Sequence, residues 1–167
     1  MLQAVAHLSR LVEQMLQLAR LRTEELQSSF TKIDLSEIIS ETCEIYTPLY
    51  QDHEITLQYI PPTTTLMLKG NQDLLQEALR NLLDNACKHT PPQGRILVQL
   101  TQTTDTSSIT IKDSGPGIPK EERERLFTRF QRGISAKEIP GSGLGLALVA
   151  EITRIHGGHI SIEDEPN

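Results

Sequence analysis

The chain has 167 residues, of which 37% are hydrophobic and 23% charged, a balance that excludes a disordered segment and leaves room for one ordinary domain with a short appendage. It has no Trp and only 4% aromatic residues, so its core is expected to be built from Leu, Ile and Val. Lys and Arg number 16 against 22 Asp and Glu, a formal net charge of -6 that argues against nucleic-acid binding and requires any bound phosphate to be held by local groups.

In chain order, the opening stretch repeats apolar residues at heptad spacing: Met1, Leu8 and Met15; Ala4, Leu11 and Leu18; Val5, Val12, Ala19 and Leu26. So wide a stripe suits a bundle helix that needs a partner, with Arg10, Glu13, Gln14, Gln17 and Arg20 on the solvated side. Gln27 to Thr31 reads as a linker. Beyond it the pattern is that of a mixed α/β domain. Lys32 to Leu35 is a short strand, and Ser36 caps a helix carrying Ile38, Ile39, Cys43 and Tyr46 that Pro48 closes. His53 to Ile60 alternates as a strand with Ile55, Leu57 and Tyr59 on one face, and Thr63 to Leu68 is another, followed by a turn at Gly70-Asn71. Asn71 to His89 is a strongly periodic helix with Leu74, Leu75, Ala78, Leu79, Leu82, Leu83 and Ala86 on its buried face, ended by Thr90-Pro91-Pro92. Gly94 to Thr103 and Ser107 to Lys112 form a hairpin, Ser142 to His156 a helix, and His159 to Ile162 a last strand.

Cys43 and Cys87 sit in helical contexts without metal-ligand spacing and are read as small apolar packers. No apolar run approaches the roughly 20 residues needed to cross a bilayer, and the start of the chain lacks the order of a signal peptide.

Three segments carry chemistry. Asn81, Asn85 and Lys88, four and three residues apart, put two amides and an ammonium on one helical face. Asp113-Ser114-Gly115-Pro116-Gly117 leaves a strand directly; its glycines let backbone approach a flat ligand while the carboxylate accepts from a donor such as an exocyclic amine. Gly141-Ser142-Gly143-Leu144-Gly145-Leu146 opens a helix, where exposed N–H groups and the positive dipole end suit a polyphosphate. Lys120 to Pro140, a charged stretch containing Phe127 and Phe130, is too long for an idle connection and reads as a lid.

In this order and spacing the segments resemble the ATP-binding catalytic domain of bacterial sensor histidine kinases, within the superfamily that also holds type II topoisomerases and Hsp90-type chaperones. Asn81 to Lys88 is similar to the family's N box, Asp113 to Gly117 to its G1 box, Leu126-Phe127-Thr128-Arg129-Phe130 to its F box and Gly141 to Leu146 to its G2 box. The resemblance covers about residues 32 to 165. The opening helix is similar to the second helix of the family's dimerisation and histidine-phosphotransfer hairpin. The fold implied is α+β, a two-layer α/β sandwich with a mixed sheet (the Bergerat ATP-binding fold). The expected division is a partial hairpin helix over 1–29 and a catalytic domain over 30–167.

The resemblance also implies roles. Asn85 would offer its amide oxygen to Mg²⁺, a hard ion that prefers oxygen ligands. Lys88 and Arg132 would neutralise phosphates, Asp113 would take the adenine amino group, and Gly141, Gly143 and Gly145 would let the lid fold over the triphosphate. Asn81, Gly115, Gly117, Ile118, Phe130, Ser142, Leu144 and Leu146 complete the implied ATP-binding set. His89 stands where the family often has an aromatic residue beside the adenine; it either stacks there or caps its own helix. His7, His53, His156 and His159 are read as surface or packing residues. Hydrolytic members and the related serine kinases carry a Glu at the position of Asn81, and an amide is a poor base, so transfer to a neutral imidazole is implied rather than hydrolysis.

The family's acceptor motif, Ser/Phe-His-Glu-Leu-Arg-x-Pro, is absent, and His7, followed by Leu8-Ser9-Arg10, is not assigned that role. The acceptor is therefore expected on a hairpin supplied elsewhere, and this chain is not expected to phosphorylate itself. The implied partners are that hairpin, a response-regulator receiver domain and a second copy of the parent, with no nucleic acid. The implied location is cytoplasmic, in a parent anchored in the bacterial inner membrane, both ends continuing into a larger protein. The alternative is a non-catalytic module of the same fold that docks or dimerises with nucleotide.

Overall fold

A computed structural model describes residues 12, 14–16, 21, 29–104, 106–133 and 141–163. The heptad stripe expected over residues 1–26 lies mostly outside them. Val12, Gln14, Met15 and Leu16 are helical, with Val12, Met15 and Leu16 exposed, and Leu21 is buried. Residues 134–140 of the expected lid lie outside as well. The chain divides into two units, Phe30–Gly117 and Ile118–Asn167 taken with Met1–Ser29, so the domain expected over 30–167 spans both.

In the unit 30–117, β1 is Thr31–Asp34, α1 Leu35–Asp52, β2 Thr56–Ile60, β3 Met67–Gly70, α2 Gln72–His89, β4 Arg95–Gln102 and β5 Ser107–Asp113. The cap of α1 is Asp34 rather than Ser36: its carboxylate accepts from the N–H groups of Ser36 and Glu37 at 2.9 and 3.4 Å. Pro48 does not end the helix. A proline inside a helix forfeits one backbone bond, but two anchors hold the turn around it: Tyr50, fully buried, donates to the Leu83 carbonyl at 2.8 Å, and Tyr46 donates to Asp84 at 2.9 Å. The helix stops instead at His53, and Glu54, with φ 57°, turns the chain into β2. β2 therefore starts at Thr56, later than its alternation predicts, though Ile55 is buried and Leu57 and Tyr59 half-buried on the expected face. β3 is shifted likewise to Met67–Gly70, and Asn71 is not a turn residue but the cap of α2, its side chain accepting from Leu74 N–H at 3.0 Å.

β1 and β3 form an antiparallel pair, while β2, β4 and β5 form a mixed sheet in the order β2-β4-β5, parallel between β2 and β4 and antiparallel between β4 and β5. Ile96, Val98 and Leu100 on one face of β4 are buried in a single cluster with Ile38, Ile39, Cys43, Tyr46 and Tyr50 of α1 and Leu79, Leu83 and Ala86 of α2. This is the aliphatic core expected from the composition, one helical layer on one sheet.

In the unit containing residues 118–167, α3 is a single turn, Lys120–Arg123, followed by a 3-10 turn at Arg125–Phe127, and α4 is Gly145–Ile155. α4 begins three residues later than predicted because Gly143 has φ 69°, outside the helical region, and the Ser142 hydroxyl accepts from Leu144 N–H at 3.2 Å. Its C-terminus closes on Gly157 (φ 75°) and Gly158, whose N–H groups reach Arg154 and Thr153 carbonyls at 3.0 and 2.9 Å. The strand expected over His159–Ile162 is absent: Ile160 and Ile162 keep the alternating half-burial, but no described residue supplies a ladder. Alternation specifies which side chains turn inward; it does not supply a hydrogen-bonding neighbour. Among the described residues no helix is long and apolar enough to cross a membrane.

Candidate functional site

α2 carries the first set of candidates because its apolar stripe is held in the core, which leaves a flanking face for polar groups. Asn81 and Asn85 are both half-buried there, one turn apart, but differ in state. The Asn81 amide nitrogen donates to the Glu77 carbonyl at 2.8 Å and to the Glu77 carboxylate at 3.2 Å. Among the described residues the Asn85 amide makes no hydrogen bond, and the exposed Lys88 ammonium one turn on has no ion-pair partner. An amide oxygen and a cation are thus left side by side.

The second set meets the first where β5 ends. Asp113, the last residue of β5, accepts Gly115 N–H at 2.9 Å. A Cβ at Gly115 would stand 2.7 Å from both the Asp113 carboxylate and the His89 carbonyl, so only glycine lets the strand exit pass this close to the end of α2. Gly117 is needed for another reason, its φ of 74° with open space around it. An open cavity of about 610 Å³ lies at this junction, lined by Lys88, His89, Thr90, Pro91, Pro92, Ser114, Gly115 and Pro116. Burial holds the His89 imidazole below its ordinary pKa of 6.5, with Lys88 acting in the same direction and the Asp113 carboxylate opposing them, so near neutral pH the ring in this wall is uncharged. Thr90, Pro91 and Pro92 belong to the wall but were expected only to stop a helix, while Ser114 and Pro116 come from the expected Asp113–Gly117 segment, in which they were not singled out. Ser114 also extends the β4–β5 ladder, its hydroxyl accepting Arg95 N–H at 2.9 Å.

The remaining candidates lie in the unit containing residues 118–167. Ile118 is half-buried, and its carbonyl accepts from the Arg123 guanidinium at 2.9 Å. Phe130, 58% exposed with φ 61°, donates its N–H to the Gly143 carbonyl at 2.9 Å. A Cβ at Gly143 would stand 2.8 Å from the Gln131 carbonyl, so F box and G2 box are clasped backbone to backbone. Ser142 donates to the Gln14 side chain at 2.9 Å. Leu144 is fully buried and offers no side-chain surface to a ligand, while Gly145 and Leu146, half-buried, form the first turn of α4. Gly141 and Arg132 are exposed.

Among the described residues no group of three or more His, Cys, Asp and Glu could hold a metal ion. The single uncommitted amide oxygen of Asn85 fits Mg²⁺ only when most of the ion's oxygen ligands are water and ligand phosphate.

The family model described as histidine kinase-, DNA gyrase B-, and HSP90-like ATPase matches residues 70–167. The signal transduction histidine-protein kinase/phosphatase MprB of Mycobacterium sp. (strain KMS) is 38% identical over 136 residues, 81% of this chain and 26% of the relative. Among solved structures, a mycobacterial sensor histidine kinase MprB is 36% identical with a TM-score of 0.65, covering 77% of this chain and 80% of that one. Full-length ShkA in complex with AMPPNP is 25% identical with a TM-score of 0.83, covering 98% of this chain and 34% of that one. The chain thus spans about a quarter of the length of the curated relatives it matches first.

Proposed function

Because the chain belongs to the histidine kinase-, DNA gyrase B-, and HSP90-like ATPase family, we propose that it is the MgATP-binding catalytic domain of a two-component sensor histidine kinase, donating the ATP γ-phosphoryl group to a histidine on a dimerisation hairpin. The observation that carries this reading is the contrast along α2: Asn81 is committed to Glu77, whereas Asn85 and Lys88 are uncommitted among the described residues, with Lys88 in the wall of the cavity at the end of the helix.

In this reading Asp113 accepts from the adenine amino group, and the His89 ring borders the base. Lys88 and Arg132 take phosphate charge, and the Phe130–Gly143 clasp holds the loop that opens into α4. Asn85 supplies an amide oxygen to Mg²⁺, which neutralises phosphate charge when bound. Asn81 cannot act as a base, so the residues of this chain position the nucleotide and leave the nucleophile to the acceptor imidazole. Its neutral nitrogen attacks the γ-phosphorus in line, a P–N bond forms, the bond to the bridging oxygen breaks and ADP leaves. The domain is the segment from residue 30 onward, preceded by a hairpin helix over 1–29; the parent is a membrane-anchored homodimer whose cytoplasmic part hands the phosphoryl group to a receiver domain. The mycobacterial relatives, named as signal transduction histidine kinases, and the ATP analogue bound to ShkA support this assignment.

Calorimetric titration with ATP, with and without Mg²⁺, is the test. Saturable binding strengthened by Mg²⁺, followed by phosphoryl transfer to a separately supplied hairpin bearing the acceptor histidine, is expected. No binding to a folded chain would sink the proposal, and binding without transfer would favour a docking module.

A further inference from the structure

We infer that Thr90 is a further nucleotide-binding residue, its hydroxyl hydrogen-bonding the bound nucleotide directly or through one water; this rests on the reading of the cavity as part of the ATP site. Thr90 is 6% exposed and stands in the cavity wall between His89 and Pro91. Its Oγ1 is the one buried side-chain polar atom among the described residues without a hydrogen-bond partner. Such atoms are rare in folded proteins, because a hydroxyl withdrawn from water and left unpaired is destabilising.

Packing does not account for the hydroxyl. A Cβ at Gly94 would fall 2.3 Å from the Thr90 methyl carbon, so that methyl is seated on the Gly94 backbone. Gly94 is itself held, its N–H donating to the Pro91 carbonyl and its carbonyl accepting Thr56 N–H, both at 3.0 Å. The Thr90 N–H is already committed to the Ala86 carbonyl at 3.0 Å, closing α2. Valine would fill the same space, keep the methyl on Gly94 and bury no orphaned donor. What threonine adds is one polar atom, withdrawn from solvent, on a residue of the wall that already contains the Lys88 and His89 candidates.

The test compares the full chain with its Thr90→Val, Thr90→Ser and Asp113→Asn variants, by ATP titration and by thermal melting without ligand. Thr90→Val should bind ATP about 3- to 10-fold more weakly, the loss expected for one hydrogen bond, while melting at or above the parent temperature. Thr90→Ser keeps the hydroxyl and loses the methyl, so it should bind within about 2-fold of the parent but melt lower. Affinity and stability thus move in opposite directions in the two variants, which a purely structural role would not produce. Thr90→Val binding ATP as tightly as the parent, while Asp113→Asn binds more weakly, would overturn the role of Thr90 and leave the site standing. Equal losses in Thr90→Val and Thr90→Ser would also overturn it, pointing to shape rather than the hydroxyl. A parent chain that binds no ATP would remove both this inference and the functional reading beneath it.

Discussion

Asn81 and Asn85 are the same amino acid one helical turn apart, and their chemistry is set by what lies one turn earlier. Glu77 precedes Asn81 and takes its amide in two hydrogen bonds, whereas no such bond holds Asn85. An uncommitted, half-buried amide loses little when it is truncated. Asn85→Ala should therefore leave the melting temperature within about 2 °C of the parent, as expected of substitutions outside core and networks, while removing the Mg²⁺-dependent part of ATP binding; calorimetry with and without the ion reads both. Unchanged Mg²⁺ dependence would discard the assignment. The spacing of Asn81, Asn85 and Lys88 was legible in the sequence because helical periodicity fixes which residues share a face. Which amide was engaged was not legible, since the rotamer that joins Asn81 to Glu77 is a choice among several. Thr90 was hidden for a related reason. Beside two prolines it reads as punctuation, and only its burial against Gly94 reveals a hydroxyl without a partner.

α1 shows how packing between elements overrides local rules. Pro48 should end a helix, yet α1 continues to Asp52 because Tyr46 and Tyr50 on its inner face are tied to α2 by hydrogen bonds to Asp84 and the Leu83 carbonyl. Tyr50→Phe removes one of these bonds from a fully buried site and should cost about 0.5–1.5 kcal/mol, measured by urea unfolding. A neutral result would mean that apolar packing alone carries the helix past the proline. The strongly periodic α2 and the β4–β5 hairpin were readable because their signals are local and agree with their surroundings. The cap at Asp34, the later start of β2 and the delayed start of α4 were not, since each is decided by one side-chain bond or one positive φ. The missing ladder at His159–Ile162 has another origin, because pairing is a property of two segments and alternation is a property of one.

At the scale of the whole molecule, the shifted groups bracket a window of stability in pH. Burial lowers the pKa of His89 and His156, so below about pH 6.5 the unfolded chain takes up protons more readily than the folded one and stability falls with pH. Burial pushes the Cys43 thiol up from 9.0 to about 11 and raises both Tyr46 and Tyr50, so on the alkaline side the unfolded chain loses protons first and stability falls as pH rises. Denaturant midpoints should therefore be highest between about pH 7 and 9, and Cys43→Ala should flatten the limb from about pH 9 to 10, where one such thiol contributes a slope of up to about 1.4 kcal/mol per pH unit. A limb unchanged in that variant would assign the alkaline loss elsewhere. The parallel pairing of β2 with β4 bears on the order in which the molecule assembles. β4 and β5 are neighbours in sequence and can zip from their turn, but residues 61–94, with β3 and all of α2, stand between β2 and its partner. Closing so long a loop is entropically slow and is rewarded only once α2 is in place. β2 is thus expected to be the last strand to join the sheet and the first to leave it. In native-state exchange the amides of Leu57 to Ile60 should open ahead of those of Ile96 to Leu100, so a polypeptide arrested during synthesis or partly unfolded would present the bare edge of β4 to its neighbours.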